Sequence, residues 1–130
     1  MVRAHPNEKI YIMDVAVPIS TYPSLISFAR KTMDERGVGG YMIGHAGDGN
    51  IHIELLHRDE ESYGRAKDVN GEIVKYAISL GGTATGEHGV GVGKVAYMQY
   101  EHGDALDVMQ SLKQTLDPNG ILNPGKIFPS

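Results

Sequence analysis

The chain contains no cysteine, so neither a disulfide framework nor a thiolate metal site is possible. Basic residues are also in short supply. Twelve Lys and Arg face sixteen Asp and Glu, and the net charge of −4 offers no basic patch for a nucleic acid. No apolar run approaches the roughly 20 residues of a membrane span. The N-terminal stretch MVRAHPNEK is polar and lacks a signal-peptide core, which fits a cytoplasmic chain. Several catalytic motifs are missing as well. There is no H-E-x-x-H, which argues against a zincin protease. A P-loop over GVGVGK needs Gly at 88 and Ser or Thr at 95, where this chain has His88 and Val95. G-x-G-x-x-G fails at 89–94 because position 94 is Lys94.

What remains is a soluble-type composition of 130 residues, the length of a single domain, spanning 1–130. Two counts stand out: 17 glycines, nearly twice the usual share of about 7%, and six histidines. The glycines cluster in GHAGDGNIH (44–52) and GGTATGEHGVGVGK (81–94), unlike a linker, and no internal repeat is present.

The stretch KIYIMDVAVPIS (9–20) is β-branched and apolar and predicts a strand ended by Pro18. Ser20 or Thr21 can cap a following helix whose Tyr22, Leu25, Ala29 and Met33 recur at helical spacing, with Gly37 as its stop. GYMIGH and IHIELLH predict two strands around the glycine turn. Asp59 can cap a helix over about 60–80 with Ala66, Val69, Ile73, Ala77 and Leu80 as its buried stripe. The glycine stretch 81–93 is a loop, and GVGKVAYMQYEHG a short helix or turn. Asp104 can start a last helix that buries Leu106, Met109, Leu112 and Leu116. DPNG is a turn, and the tail ILNPGKIFPS is expected to be extended. The order β-α-β-β-α followed by smaller helices predicts an α+β fold. Its antiparallel sheet carries helices on one face, in a ferredoxin-like split βαβ arrangement with C-terminal helices.

The turn suggests chemistry. With Asp48-Gly49 as a two-residue hairpin loop, His45 pairs with His52 on one face of the sheet. Two imidazoles about 5 Å apart can share a metal ion. Glu54, two residues beyond His52, shares that face and can join them or support them. The same pattern is met by two surface histidines on an ordinary hairpin, and a one-residue register shift destroys the pair. The second glycine stretch adds Glu87 and His88 on a loop able to approach a ligand closely. Two histidines and one carboxylate suit zinc, manganese or iron with open positions, leaving His88 as an acid–base group. A solvated surface loop is the alternative. His5, His57 and His102 have no obvious partners and read as ordinary polar positions.

GHAGDGNIH, GGTATGEHGVGVGK and LDPNGILNPGKIF, in this order and with DVAVPIS before them, resemble the C-terminal domain of FAD-linked oxidases of the vanillyl-alcohol oxidase type. The branch is that of the glycolate oxidase flavin subunit, cytochrome-linked D-lactate dehydrogenases and D-2-hydroxyglutarate dehydrogenase. The resemblance runs from about Ile10 to Pro129. It implies oxidation of a D-2-hydroxy acid substrate to a 2-oxo acid by hydride transfer to FAD. Electrons then pass to a quinone, a cytochrome or an electron-transfer flavoprotein. By resemblance, His45, His52 and Glu87 hold zinc or manganese, and His88 takes the hydroxyl proton. Asn123 lies near the flavin, as does Lys126 on weaker grounds. The resemblance also implies that the chain is the C-terminal part of the substrate (cap) domain. The flavin-binding domain is absent, so FAD and turnover require a flavin-binding domain or subunit as partner. The full enzyme is cytoplasmic or peripheral at the membrane. A stand-alone metal-binding or structural remnant is the alternative, and an apolar face left uncovered would favour a homodimer.

Overall fold

The computed structural model describes residues 5–128, in two compact units, one ending at Glu87 and the other beginning at His88. The first four residues of the polar N-terminal stretch lie outside the described residues. So do Pro129 and Ser130 at the end of the expected extended tail.

The first unit runs β1 (Lys9–Ala16), α1 (Tyr22–Glu35), β2 (Gly40–His45), β3 (Asn50–His57) and α2 (Glu60–Ser79). The sheet order is β1-β3-β2 with antiparallel neighbours, so β3 is inserted between two strands that run the same way. This is the split βαβ arrangement of an α+β fold. Alternation along the strands gives the sheet one buried face. Met13 and Val15 on β1, and Ile51, Ile53 and Leu55 on β3, are all buried on one face. α2 packs against β1 and β3, and α1 against α2. The helices contribute Leu25, Ala29 and Met33 from α1, and Ala66, Val69, Ile73 and Ala77 from α2, all buried. Each large aliphatic side chain in this layer contributes about 1.5–3 kcal/mol.

The helix starts differ in chemistry. At α2, Ser62 N–H donates to Asp59 Oδ1 at 2.8 Å and Asp59 N–H donates to Ser62 Oγ at 3.0 Å, a reciprocal capping box. At α1, Thr21 does not cap. Its hydroxyl donates instead to the Pro18 carbonyl at 2.9 Å, and the chain enters the helix through a single 3-10 turn, Ile19–Thr21.

The opposite face of the sheet carries Asp14, Asn50, His52 and Glu54 among the exposed apolar side chains of Ile12, Tyr41 and Ile43. It is therefore a mixed polar and apolar face.

The second unit holds α3 (Val95–His102) and α4 (Ala105–Leu116). Of the expected α4 stripe only Leu106 is buried; Met109, Leu112 and Leu116 are 38%, 59% and 80% exposed. α3 has one buried residue, Met98, and two short helices cover only one line of each other's surface. The tail is not extended over the described residues: it bends, with Asn123 and Ile127 at φ 48° and 69°. Asp117 holds the start of the bend, and the Ile127 N–H donates to the Gly91 carbonyl at 3.0 Å further along. The Asp117 carboxylate accepts the Ile121 and Leu122 N–H groups at 3.0 and 2.9 Å and pairs with Lys113, whose Nζ also donates to the Leu122 carbonyl at 2.7 Å. Those bonds hold the Asp117 carboxyl below the usual carboxylate range, the Lys113 hydrogen bond most of all.

Candidate metal centre

The connection between β2 and β3 is longer than a two-residue loop. His45 pairs with Asn50, Gly44 with Ile51 and Ile43 with His52. Between the strands, Ala46–Asp48 form a 3-10 turn and Gly49 closes it at φ 71°. The expected direct pairing of His45 with His52 is thus incorrect. The reason is the docking of the turn on the end of β1: Val17 N–H donates to the Gly49 carbonyl at 3.0 Å. A Cβ at Gly49 would lie 1.9 Å from the Val17 carbonyl oxygen. A tighter loop could not keep that contact. The shift is two positions, and side chains repeat every two residues along a strand, so both histidines stay on one face as diagonal neighbours. Their ring centroids are 5.4 Å apart with the planes perpendicular, at 90°.

Glu87 reaches this face from the loop after α2. Thr83 forms a β-bridge with Ala16: its N–H donates to the Ala16 carbonyl at 2.8 Å, and Ala16 N–H returns a bond at 3.4 Å. Gly86 lies against the Asn50 side chain, where an added Cβ would meet Oδ1 at 2.5 Å. Glu87 N–H then donates to Asp14 Oδ2 at 2.6 Å. So held, Glu87 places Oε1 2.8 Å from His52 Nε2.

Ligand atoms of His45, His52 and Glu87 all lie within 4.8 Å of one another. Among the described residues these are the His, Asp and Glu side chains grouped closely enough to share one ion. Ligands at 2.0–2.2 Å around a tetrahedral ion sit about 3.3 Å apart. Small side-chain movements would bring the trio to that spacing, with the His52–Glu87 pair, at 2.8 Å, opening slightly. The His52 side chain is 15% exposed and that of Glu87 54%, so the site is anchored on the sheet and open on one side. Two imidazoles, one carboxylate and open positions form a set suited to zinc or manganese.

The other candidates lie elsewhere. Glu54 shares the face, but its Oε2 is buried with no hydrogen-bond partner and it is not one of the trio. His88 is exposed and opens the second unit. Asn123 and Lys126 are exposed on that unit's C-terminal bend. His5 is engaged at the surface, with Nε2 2.6 Å from the Tyr41 hydroxyl and Nδ1 2.5 Å from Glu8. His57 lies beside the Tyr63 ring, and His102 beside Glu101.

Two further side chains at the centre carry little signal in the sequence. Asp14 is 2% exposed and sits directly opposite His52 on β1. A carboxylate in the middle of IYIMDVAV is the available signal, because a buried charge demands partners. Asn50 is 6% exposed, and its Oδ1 has no hydrogen-bond partner among the described residues, a cost of about 1–3 kcal/mol. Within GDGN it reads as turn chemistry, which hides it.

Comparison with known proteins follows the same lines. The family model described as "FAD linked oxidases, C-terminal domain" matches residues 1–127. A mitochondrial D-lactate dehydrogenase [cytochrome] of Arabidopsis thaliana is 44% identical over 127 residues, covering 95% of this chain and 22% of that protein. A glycolate oxidase subunit of Bacillus subtilis is 38% identical, covering 88% of this chain and 25% of its own length. A D-2-hydroxyglutarate dehydrogenase of Stutzerimonas stutzeri is 33% identical over 91% of this chain and 27% of its own length. The chain thus spans about a quarter of the curated relatives it matches. The solved 4-ethylphenol oxidase of Gulosibacter chungangensis shares the fold, with a TM-score of 0.68 at 22% identity over 99% of this chain and 26% of that one.

Proposed function

The chain belongs to the family of FAD-linked oxidases, C-terminal domain, and from that premise we propose that it is the C-terminal part of the substrate domain of a flavin-dependent D-2-hydroxy acid dehydrogenase. Its substrate class is a D-2-hydroxy acid of the lactate or glycolate type, oxidised to the 2-oxo acid. The observation that carries this reading is the meeting of His45, His52 and Glu87 on the sheet face. The relatives named for D-lactate, glycolate and D-2-hydroxyglutarate chemistry support the substrate class.

A bound zinc or manganese ion supplies Lewis acidity, lowering the pKa of a substrate hydroxyl. The protein's part is to hold and orient. His52, most buried of the three, would fix the position of the ion, His45 and Glu87 would complete its protein ligands, and the open side would leave room for a substrate's oxygens. His88, next in sequence to Glu87, serves as the base whose imidazole nitrogen takes the hydroxyl proton. The described residues around Asn123 and Lys126 are exposed and do not enclose a flavin. FAD binding therefore falls to a flavin-binding domain or subunit, with Asn123 and Lys126 bordering the flavin. A quinone, cytochrome or electron-transfer flavoprotein is the final electron acceptor. In this reading both units belong to one cap domain, and the chain alone is inactive. Among the described residues no helix is long and apolar enough to cross a membrane.

One observation favours a second reading, a metal-binding module without redox chemistry. The trio is complete within the first unit alone. Co-expression with the flavin-binding part of a D-lactate dehydrogenase separates the two. Dye reduction by D-lactate or glycolate that disappears in His45→Ala/His52→Ala supports the dehydrogenase. Metal binding with no dye reduction in the assembled pair supports the module.

A further inference from the structure

Glu87 lies on a loop, and a loop carboxylate needs something to fix its direction before it can complete a site. Two buried polar side chains from two different strands reach that loop. One is Asp14 on β1, which accepts the Glu87 N–H. The other is Asn50, the first residue of β3, which touches the preceding residue, Gly86.

The Asn50 contact is unusual in three respects. The side chain is more than nine-tenths buried, at 6% exposure. Its Oδ1 has no hydrogen-bond partner among the described residues. And the whole carboxamide lies close to Gly86: a Cβ added there would meet Oδ1, Cγ and Nδ2 at 2.5, 2.8 and 2.9 Å. All three distances fall below ordinary carbon contact, so a side chain at 86 would force either the buried Asn50 carboxamide or the loop to shift. Asn50 is also the direct cross-strand partner of His45 on β2 and of Ala16 on β1, and Ala16 carries the bridge to Thr83. One residue therefore adjoins both arms of the candidate site. Buried unsatisfied groups in native structures call for an explanation, and they cluster where function constrains the fold.

We propose that Asn50 is a positioning residue for the metal centre: its planar carboxamide is the stop against which Gly86 rests, and this contact aims Glu87 at the histidine pair. Asn50 acts through Glu87 and does not itself ligate. The proposal deepens the metal-centre reading and rests on it for its functional meaning, but the positioning itself can be measured without metal.

The contact predicts a specific coupling between two residues. Gly86→Ala places a methyl group against the carboxamide and drives the loop off. Asn50→Ala removes the stop, so Glu87 should lose amide protection in that variant alone, and wild-type protection there overturns the proposal; it also removes the obstacle, so Gly86→Ala should do little further harm in that background. The experiment is a double-mutant cycle on the 130-residue chain with two readouts, hydrogen exchange of the Glu87 amide in metal-free protein and affinity for zinc or manganese. Thermal midpoints are measured alongside to show that all four proteins are folded.

In Gly86→Ala the Glu87 amide should exchange at least about tenfold faster, and metal affinity should fall about 10–100-fold, the range for lost supporting contacts. The double variant should lie within about twofold of Asn50→Ala in both readouts. Additive effects of the two substitutions, or Glu87 protection and metal affinity unchanged in every variant, overturn the proposal. If the wild-type chain binds no metal while Glu87 protection follows the coupled pattern, positioning stands and the metal reading falls. If metal binds equally to all four proteins, the metal reading stands and positioning falls. Should Gly86→Ala fail to fold, recovery of fold and of Glu87 protection in the double variant supports the contact, and failure there too overturns it.

Discussion

His45 and His52 are diagonal neighbours across the β2–β3 ladder: His45 stands opposite Asn50 and His52 opposite Ile43, yet their rings approach to 5.4 Å. The diagonal arrangement leaves the position opposite each histidine to another residue. One of those, Asn50, contacts the Glu87 loop. A directly paired hairpin would have put the second histidine where that contact is made.

Asp14 should matter through the Glu87 N–H it accepts. Asp14→Ala leaves a part-buried donor without an acceptor, and the expected loss is about 1–3 kcal/mol. Asp14→Asn keeps an acceptor oxygen and should recover most of that loss. Urea denaturation of the two variants checks the order, and equal losses would show that the buried charge, not the hydrogen bond, is what the site uses.

The two faces of the sheet should respond differently to substitution. Ile53 is fully buried, so Ile53→Ala should cost about 2–5 kcal/mol. Ile43, on β2, is 53% exposed on the site face, and Ile43→Ser should change stability by about 0.5 kcal/mol or less. Chemical denaturation of both variants tests the assignment of faces. A large loss at Ile43 would mean that something covers that face in solution, as self-association would.

Acid should loosen the C-terminal bend. The folded protein holds the Asp117 carboxyl below its usual range, chiefly through the Lys113 hydrogen bond. A carboxyl favoured as its anion contributes stability above its unfolded pKa of about 4. That contribution is lost as pH falls through the lower folded value. Asp117→Asn should therefore be less stable than the parent at pH 6, with the gap narrowing as pH drops below about 4. Thermal midpoints of the pair from pH 6 to pH 2 give the comparison, and a gap independent of pH would contradict it. Asp59 should behave in the same sense, because the Ser62 hydrogen bonds of the α2 capping box lower its pKa.

Periodicity made the element types readable: β1, α1, β2, β3 and α2 lie where alternation and helical spacing put them, and Asp59 caps α2 as its position suggests. The split βαβ order follows from those elements. Tertiary contacts decided the rest. The hairpin register was set by docking of Gly49 on Val17, a partner more than thirty positions upstream that local turn rules do not see. Thr21 lost its cap to a 3-10 turn. The stripe on α4 is real in sequence but meets too little surface within its own unit to be covered. The grouping of His45, His52 and Glu87 was legible because histidine and glutamate between glycines are conspicuous. Asp14 and Asn50 were not, because a strand interior and a turn motif each offer an ordinary reason for their presence.

The metal centre is tested most directly by titration of the metal-stripped chain with zinc and with manganese, beside His45→Ala/His52→Ala and Glu87→Gln. Saturation near one ion per chain is predicted, abolished in the double histidine variant and weakened about 10–100-fold or more in Glu87→Gln. Saturation that is unaffected by these substitutions, or no binding of either metal by the parent chain, would contradict it.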